Sequence, residues 1–287
     1  MKPAAFDYHR PTSLAETFDL LDRYGDDGRL LAGGQSLVPA LNMRLATPRA
    51  VIDINRLPGL DAIAVTAEGL VIGALARHAA VERSPLVREH APLIAAAMPY
   101  IGHSAIRSRG TFGGSLALAD PAAELPACVM ALDATIRVES RRGRRDIAAG
   151  AFFRGVYTTA LEPGEVLVEV VIPRAAGGWR SGFDELARRH GDFALVGLAA
   201  HARVEAIVVH DPHLVFFGVG GAPVRARGAE AQLAGRRADA KTLAAAGQAL
   251  DADLHPPGDI HGSPALRRHL ARVLLARVVT RLVEPRS

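Results

Sequence analysis

Leu30-Leu31-Ala32-Gly33-Gly34-Gln35-Ser36-Leu37 is a short apolar run that breaks into two glycines, two polar residues and a new apolar start. That order reads as a buried strand, a tight turn and the first turn of a helix. Upstream, Ser13-Leu14-Ala15-Glu16 is a capping box, and Leu14, Phe18 and Leu21 form a stripe that ends before Gly25. Downstream, Leu37 to about Arg44 reads as a helix and Val51-Ile52-Asp53-Ile54 as a strand, and the unit closes near Pro58. Glycine permits positive φ and close backbone approach, and the N–H groups opening the helix suit a phosphate. Taken alone, a Gly-Gly pair is also ordinary punctuation between strand and helix.

A second turn, Gly110-Thr111-Phe112-Gly113-Gly114-Ser115, lies in a stretch from Tyr100 to Ser115 that reads as irregular. Long irregular segments in compact domains tend to be functional. Arg107 and Arg109 add charge beside it, Thr111 and Ser115 add hydroxyls, and two such turns favour a ligand more than either alone. Neither turn is a G-x-G-x-x-G fingerprint or a P-loop, which sets aside the common dinucleotide and triphosphate folds. Asp120 and Glu124 follow closely. They could accept hydrogen bonds from ligand hydroxyls, or serve as capping and charge for the next helix.

Around these turns the pattern mixes strands and helices. Leu70–Ala76 and Val166–Ile172 are strand-like, and Pro92–Met98 and Ala122–Leu132 are helical. Thr135–Glu139 and Asp146-Ile147 form a hairpin about Arg141-Arg142-Gly143-Arg144-Arg145. Ala175-Ala176-Gly177-Gly178 reads as a domain boundary. Beyond it come strands at Phe183–Ala187, Leu195–Val204 and Leu214–Val219, then helices at Ala238–Leu250 and Pro264–Val283. His210-Asp211-Pro212-His213 reads as a hairpin turn, and Leu266, Leu270, Val273, Leu274 and Val278 as one apolar stripe of the last helix. The class is α+β.

The 287 residues, 49% hydrophobic and 22% charged, are those of a globular chain with ample core, which excludes disorder. The longest stretch free of Asp, Glu, Lys and Arg, His90–Ile106, has 17 residues and is broken by Pro92, Pro99 and Gly102. A membrane span needs roughly 20 apolar residues. Met1 to Asp7 carries no apolar leader, so the expected location is cytoplasmic. The net charge of +4 does not imply nucleic acid, because the arginines are dispersed among acids and only 5% of residues are aromatic. With one cysteine, Cys128, there is no disulfide framework, no thiolate zinc site and no iron–sulfur cluster held by this chain, since such clusters take about four Cys ligands. The eleven histidines show no metal spacing, and G-x-S-x-G is absent.

The two turns in this order, with Val51-Ile52-Asp53-Ile54-Asn55 behind the first and Ala119-Asp120-Pro121 after the second, resemble the flavin-binding medium subunit of molybdenum hydroxylases, the xanthine dehydrogenase and aerobic carbon monoxide dehydrogenase group. Arg189-His190-Gly191-Asp192-Phe193-Ala194 is similar to the start of that family's C-terminal domain. The resemblance implies a two-subdomain FAD-binding domain of the PCMH (vanillyl-alcohol-oxidase-like) type over 1–174, split into 1–58 and 59–174. A small α+β C-terminal domain, an antiparallel sheet plus helices, would cover 179–287.

It further implies noncovalent FAD, with Leu31, Ala32, Gly33, Gly34, Gln35 and Ser36 at the pyrophosphate and Thr111, Phe112, Gly113, Gly114 and Ser115 along the phosphate and ribityl side. Ile101 and Leu167 would lie near the flavin ring, and Asp120 and Glu124 would contact the cofactor. Gln35 stands where relatives often have His or Thr, and Asp184 where some xanthine-type members have Lys. No residue of this chain would be catalytic and none would bind metal. Electrons would come from a large molybdopterin subunit through a small subunit with two [2Fe–2S] clusters, in a dimer of heterotrimers. The alternatives are a self-contained FAD-dependent oxidase or reductase of the same fold, and a cofactor-free assembly module.

Overall fold

The computed structural model describes residues 2–189 and 191–284. Three sheets of three or more strands follow one another along the chain, and Phe153–Gly155 pairs with Thr158–Thr159 as a separate two-stranded ribbon. The first is parallel, with Ala50–Asp53 in the middle between Asp7–His9 and Gly28–Leu31. Its connection is the helix Leu14–Tyr24, whose N-cap Ser13 accepts from the Glu16 N–H, as the capping box requires. The Glu16 carboxylate reaches one residue past the cap, to the Thr12 N–H at 2.8 Å.

The second sheet is antiparallel, ordered Ile63–Val65, Gly69–Gly73, Val166–Pro173, Thr135–Ser140 and Gly143–Ala148. Its last two strands are the expected hairpin, with Gly143 at φ +109° in the turn. Each arginine of that turn has a carboxylate partner: Arg141 with Asp19 and Asp22, Arg142 with Glu162, Arg144 with Glu139 and Arg145 with Glu165. The run is a solvated, internally paired surface.

The third sheet is a meander of Trp179–Ala187, Ala194–Glu205, Val208–Phe217 and Val224–Arg225, with Arg236–Arg237 also on Val208–Phe217. Both faces of its two long middle strands are covered there, so residues 194–200 and 214–217 are apolar runs without alternation. Phe183, Ala199, Val215 and Phe217 join a core with Leu70, Ile72, Leu93, Leu125 and Val170 of the preceding region. On the opposite face, Leu198, Leu214 and Phe216 pack against Leu274, Leu275, Val278 and Val279 of the helix Pro264–Val283.

Three sequence expectations are corrected here. Tyr100–Ser115 is not irregular, for it contains the helix Ser104–Arg107 and the start of Phe112–Leu118. Glycines conceal helices from propensity, and here tertiary contacts outweigh that cost. His210-Asp211-Pro212-His213 is not the hairpin turn but a bulge inside Val208–Phe217, with Asp211 at φ +47°. Proline lacks an N–H and is tolerated in a strand at such a bulge. In the last helix the buried stripe is rotated from the expected one. Leu266 is exposed, whereas Arg267 and Ala271 are buried. Arg267 turns inward because the carbonyls of Leu195 and Gly218 and the carboxylate of Asp259 all accept from its guanidinium.

Candidate functional site

Where the first two sheets meet, the two glycine turns face each other across a cleft of about 890 Å³, within the size range of small-molecule sites. The turns touch. A Cβ on Gly33 would stand 2.5 Å from the Arg109 carbonyl oxygen and 2.8 Å from the Gly110 Cα, so only glycine permits the approach. Gly34, at φ +74°, reverses the chain into the helix Leu37–Asn42. The backbone N–H groups of Gly33, Gly34, Gln35, Ser36 and Leu37 have no acceptor among the described residues. A run of N–H groups around a positive-φ residue forms an anion-binding nest, so this turn fits a pyrophosphate.

The second turn is built differently. Phe112 N–H donates to Ala76 O and Gly113 N–H to Ala74 O, both at 2.9 Å, and Gly114 N–H donates to the Thr111 hydroxyl at 3.2 Å. All of its amides but that of Thr111 have an acceptor among the described residues. It forms a wall instead, because a Cβ on Gly113 would meet Ala74 at 2.5 Å and one on Gly114 would meet the Thr111 hydroxyl at 2.5 Å.

Of the residues expected at the site, Ala32, Gly33, Gly34, Gln35 and Ser36 line the cleft from one side. Thr111, Gly113, Gly114, Ser115, Asp120 and Glu124 line it from the other, with Ile101 and Leu167. Leu31 and Phe112 do not line it. Leu31 is the last residue of its strand, and Phe112 is fully buried, its ring directed into the core by the helical turn. Arg107 and Arg109 are also outside the lining. Arg107 is committed to Glu82 at 2.9 Å and to the carbonyls of Ile101 and Gly102, while Arg29, which does line the cleft, donates to the carbonyls of Asp26 and Gly28. Asp184 is buried beneath the last helix, paired with Arg277 at 3.1 Å and Arg281 at 3.2 Å. It does not line the cleft.

The acids differ in state. The Asp120 carboxylate accepts from the Ala122 N–H at 2.9 Å and from the Tyr157 hydroxyl at 3.3 Å. Glu124, first in the helix Glu124–Ala131, is pushed up to about 7 by burial, with its own backbone N–H opposing and Asp120 adding to the rise. Cys128, one helical turn on, is fully buried, which raises its thiol further above the ordinary range.

Sequence reasoning missed several lining residues. His78 is buried, and its Nε2–H donates to the Thr111 carbonyl at 2.9 Å, leaving Nδ1 an unpaired acceptor. Burial lowers it to about 4, so it is neutral. Gly102, His103, Tyr157, Gly191, Asp192 and Phe193 also line the cleft. The last three come from the loop joining the first two strands of the third sheet. The 189–194 motif could have signalled this, although His190 lies outside the described residues.

Residues 4–175 match the family described as FAD binding domain in molybdopterin dehydrogenase, and residues 181–282 match the CO dehydrogenase flavoprotein C-terminal domain. The chain is 38% identical over 282 residues to the 6-hydroxypseudooxynicotine dehydrogenase complex subunit alpha of Paenarthrobacter nicotinovorans, covering 98% of this chain and 95% of that one. It is 35% identical to the carbon monoxide dehydrogenase medium chain of Hydrogenophaga pseudoflava, with 97% of each chain covered. The fold superimposes with a TM-score of 0.95 on carbon monoxide dehydrogenase from Hydrogenophaga pseudoflava lacking the Mo-pyranopterin moiety, at 36% identity and 98% coverage of both chains.

Proposed function

This chain belongs to the family of FAD-binding medium subunits of molybdenum hydroxylases, and from that premise we propose that it relays electrons from a partner's [2Fe–2S] clusters to an external acceptor. Bound FAD supplies a redox centre that takes up and gives back two electrons, while the protein binds, orients and shields it. The observation that carries the reading is the row of unpaired N–H groups from Gly33 to Leu37, opposite the wall of Thr111, Gly113, Gly114 and Ser115. The first turn holds the pyrophosphate oxygens, and Ile101 and Leu167 present apolar surface to the ring. Asp120 and Glu124 accept from hydroxyl or ring donors. On this reading FAD is bound noncovalently: the single thiol is buried in the core, and neither glycine turn contains a Cys or a His.

Among the described residues no group of three or more His, Cys, Asp or Glu gathers as a metal site. Because one cysteine is too few for [2Fe–2S] ligation and the relatives are named as a subunit alpha and a medium chain, we assign the molybdopterin cofactor to a large partner subunit and the two clusters to a small one, assembled as a dimer of heterotrimers. The two relatives above carry names built on 6-hydroxypseudooxynicotine and on carbon monoxide, chemically unlike molecules, at 38% and 35% identity to this chain. Substrate choice on this reading lies with the large subunit.

The test is a purified chain. It should be yellow, release its colour into the supernatant on acid precipitation, and bleach with dithionite but not with a candidate substrate. Adding the molybdenum and iron–sulfur subunits should restore substrate-driven bleaching. Substrate-dependent bleaching of the chain alone would favour a self-contained oxidoreductase.

A further inference from the structure

Outside the residues that line the cleft, a polar bridge joins the two glycine turns. Asn55 follows the strand Ala50–Asp53, and its Nδ2 donates to the Ala32 carbonyl at 2.8 Å, the residue that opens the first turn. Its Oδ1 accepts from Arg77 Nη2 at 2.5 Å. The other guanidinium nitrogen, Nη1, donates to the carbonyl of Arg109, which opens the second turn. Asp53 holds the asparagine in place, its Oδ1 accepting from the Asn55 N–H at 3.0 Å and from Nδ2 at 2.6 Å. Neither Asn55 nor Arg77 lines the cleft.

The backbone gives the bridge its reason. The second turn is already tied to the segment 74–78, through Ala74 O, Ala76 O and the His78 N–H. The first turn instead leaves five consecutive N–H groups free, so something other than ladder bonds must hold it. Gly33 lies against Arg109 and Gly110 with no room for a Cβ, so the two turns are in backbone contact here. A planar guanidinium holds its two terminal nitrogens in a fixed fork and so sets the direction of two acceptors together, whereas the three donors of an ammonium rotate freely.

We propose that Asn55 and Arg77 act as one positioning device that sets the first turn against the second. On this view FAD affinity depends on two residues that do not touch the cofactor. The inference rests on the cleft being the FAD site. Preorganised binding groups raise affinity by removing the need to order them on binding.

The experiment is a double-mutant cycle on the full chain with Asn55→Ala and Arg77→Met, reading the FAD dissociation constant of the apoprotein by flavin fluorescence and the thermal midpoint of the apoprotein. Each single change should weaken FAD about tenfold, roughly 1.4 kcal/mol. The double change should be no worse than the weaker-binding single, because the pair forms one bridge. The apoprotein midpoint should move only slightly. Asn55→Asp retains an acceptor for Arg77 but loses the donor to Ala32, so it should bind FAD as weakly as Asn55→Ala. It also serves if either truncation fails to fold. Unchanged affinity in the variants, additive losses, full binding by Asn55→Asp, or affinity losses matched by equal losses of apoprotein stability would each overturn the proposal. Failure of the unmodified chain to bind FAD would overturn the site reading and this inference together.

Discussion

Gly33 and Gly235 show how differently two glycines bear on function. A methyl on Gly33 would collide with backbone atoms of the second turn, which no rotamer change relieves. Gly33→Ala should therefore part the turns and weaken FAD binding by at least about tenfold, on the order of 1.4 kcal/mol, read by titrating the apoprotein. Gly235, at φ +71° after the helix Arg227–Leu233, has open space around its Cβ position. Gly235→Ala pays only for left-handed backbone, about 1–2 kcal/mol of stability, and should retain FAD. Equal FAD affinity in the two variants would show that contact between the turns is irrelevant to binding.

Between elements, the helix Glu124–Ala131 and the strand Trp179–Ala187 bring two acids into each other's field. Glu185 is pushed up to about 8, chiefly by burial and then by Glu124 and Asp184, and its Oε2 has no partner. The fold thus holds a proton that the unfolded chain releases near the ordinary glutamate value of about 4.3. Stability from this group is complete below that value and declines as pH rises toward 8. His78 and His201, both held neutral by burial and lowered to about 4, act in the opposite sense. Their contribution is present above pH 6.5 and is lost as pH falls toward 4. Comparing Glu185→Gln with the parent isolates the acid, because the histidines are common to both. The variant's thermal midpoint should gain on the parent's between pH 5 and pH 8. A difference that stays constant, or moves the other way, would refute the assignment.

For the whole molecule, the segment 175–178 between the second and third sheets does not divide the core. Phe183, Ala199, Val215 and Phe217 complete the cluster that includes Leu93, Leu125 and Val170. Burying one such phenylalanine contributes about 1.5–3 kcal/mol. A chain ending at residue 174 should therefore expose that face, bind a hydrophobic dye and associate, despite carrying both glycine turns. A monomeric, FAD-binding 1–174 fragment would show that the third sheet is dispensable. The third sheet also supplies Gly191, Asp192 and Phe193 to the cleft, and Gly218 N–H donates to Pro121 O beside Asp120.

What the sequence determined by itself is local. Ser13 with Glu16, Gly143 in its hairpin and the apolar run Val166–Ile172 are legible because a cap, a positive-φ turn and a buried strand each need only neighbours in the chain. The two glycine turns were legible as a pair, since glycine marks a close approach before its partner is known. Tertiary structure alone decided the rest. That Gly33 packs on Arg109, that Phe112 leaves the cleft while Gly113 lines it, and that His78 sits beneath Thr111 depend on segments tens of residues apart. Arg267 turning inward and Pro212 falling in a bulge follow the same rule. A residue's burial and partners are set by what the fold places beside it, and side-chain periodicity carries no record of that neighbour.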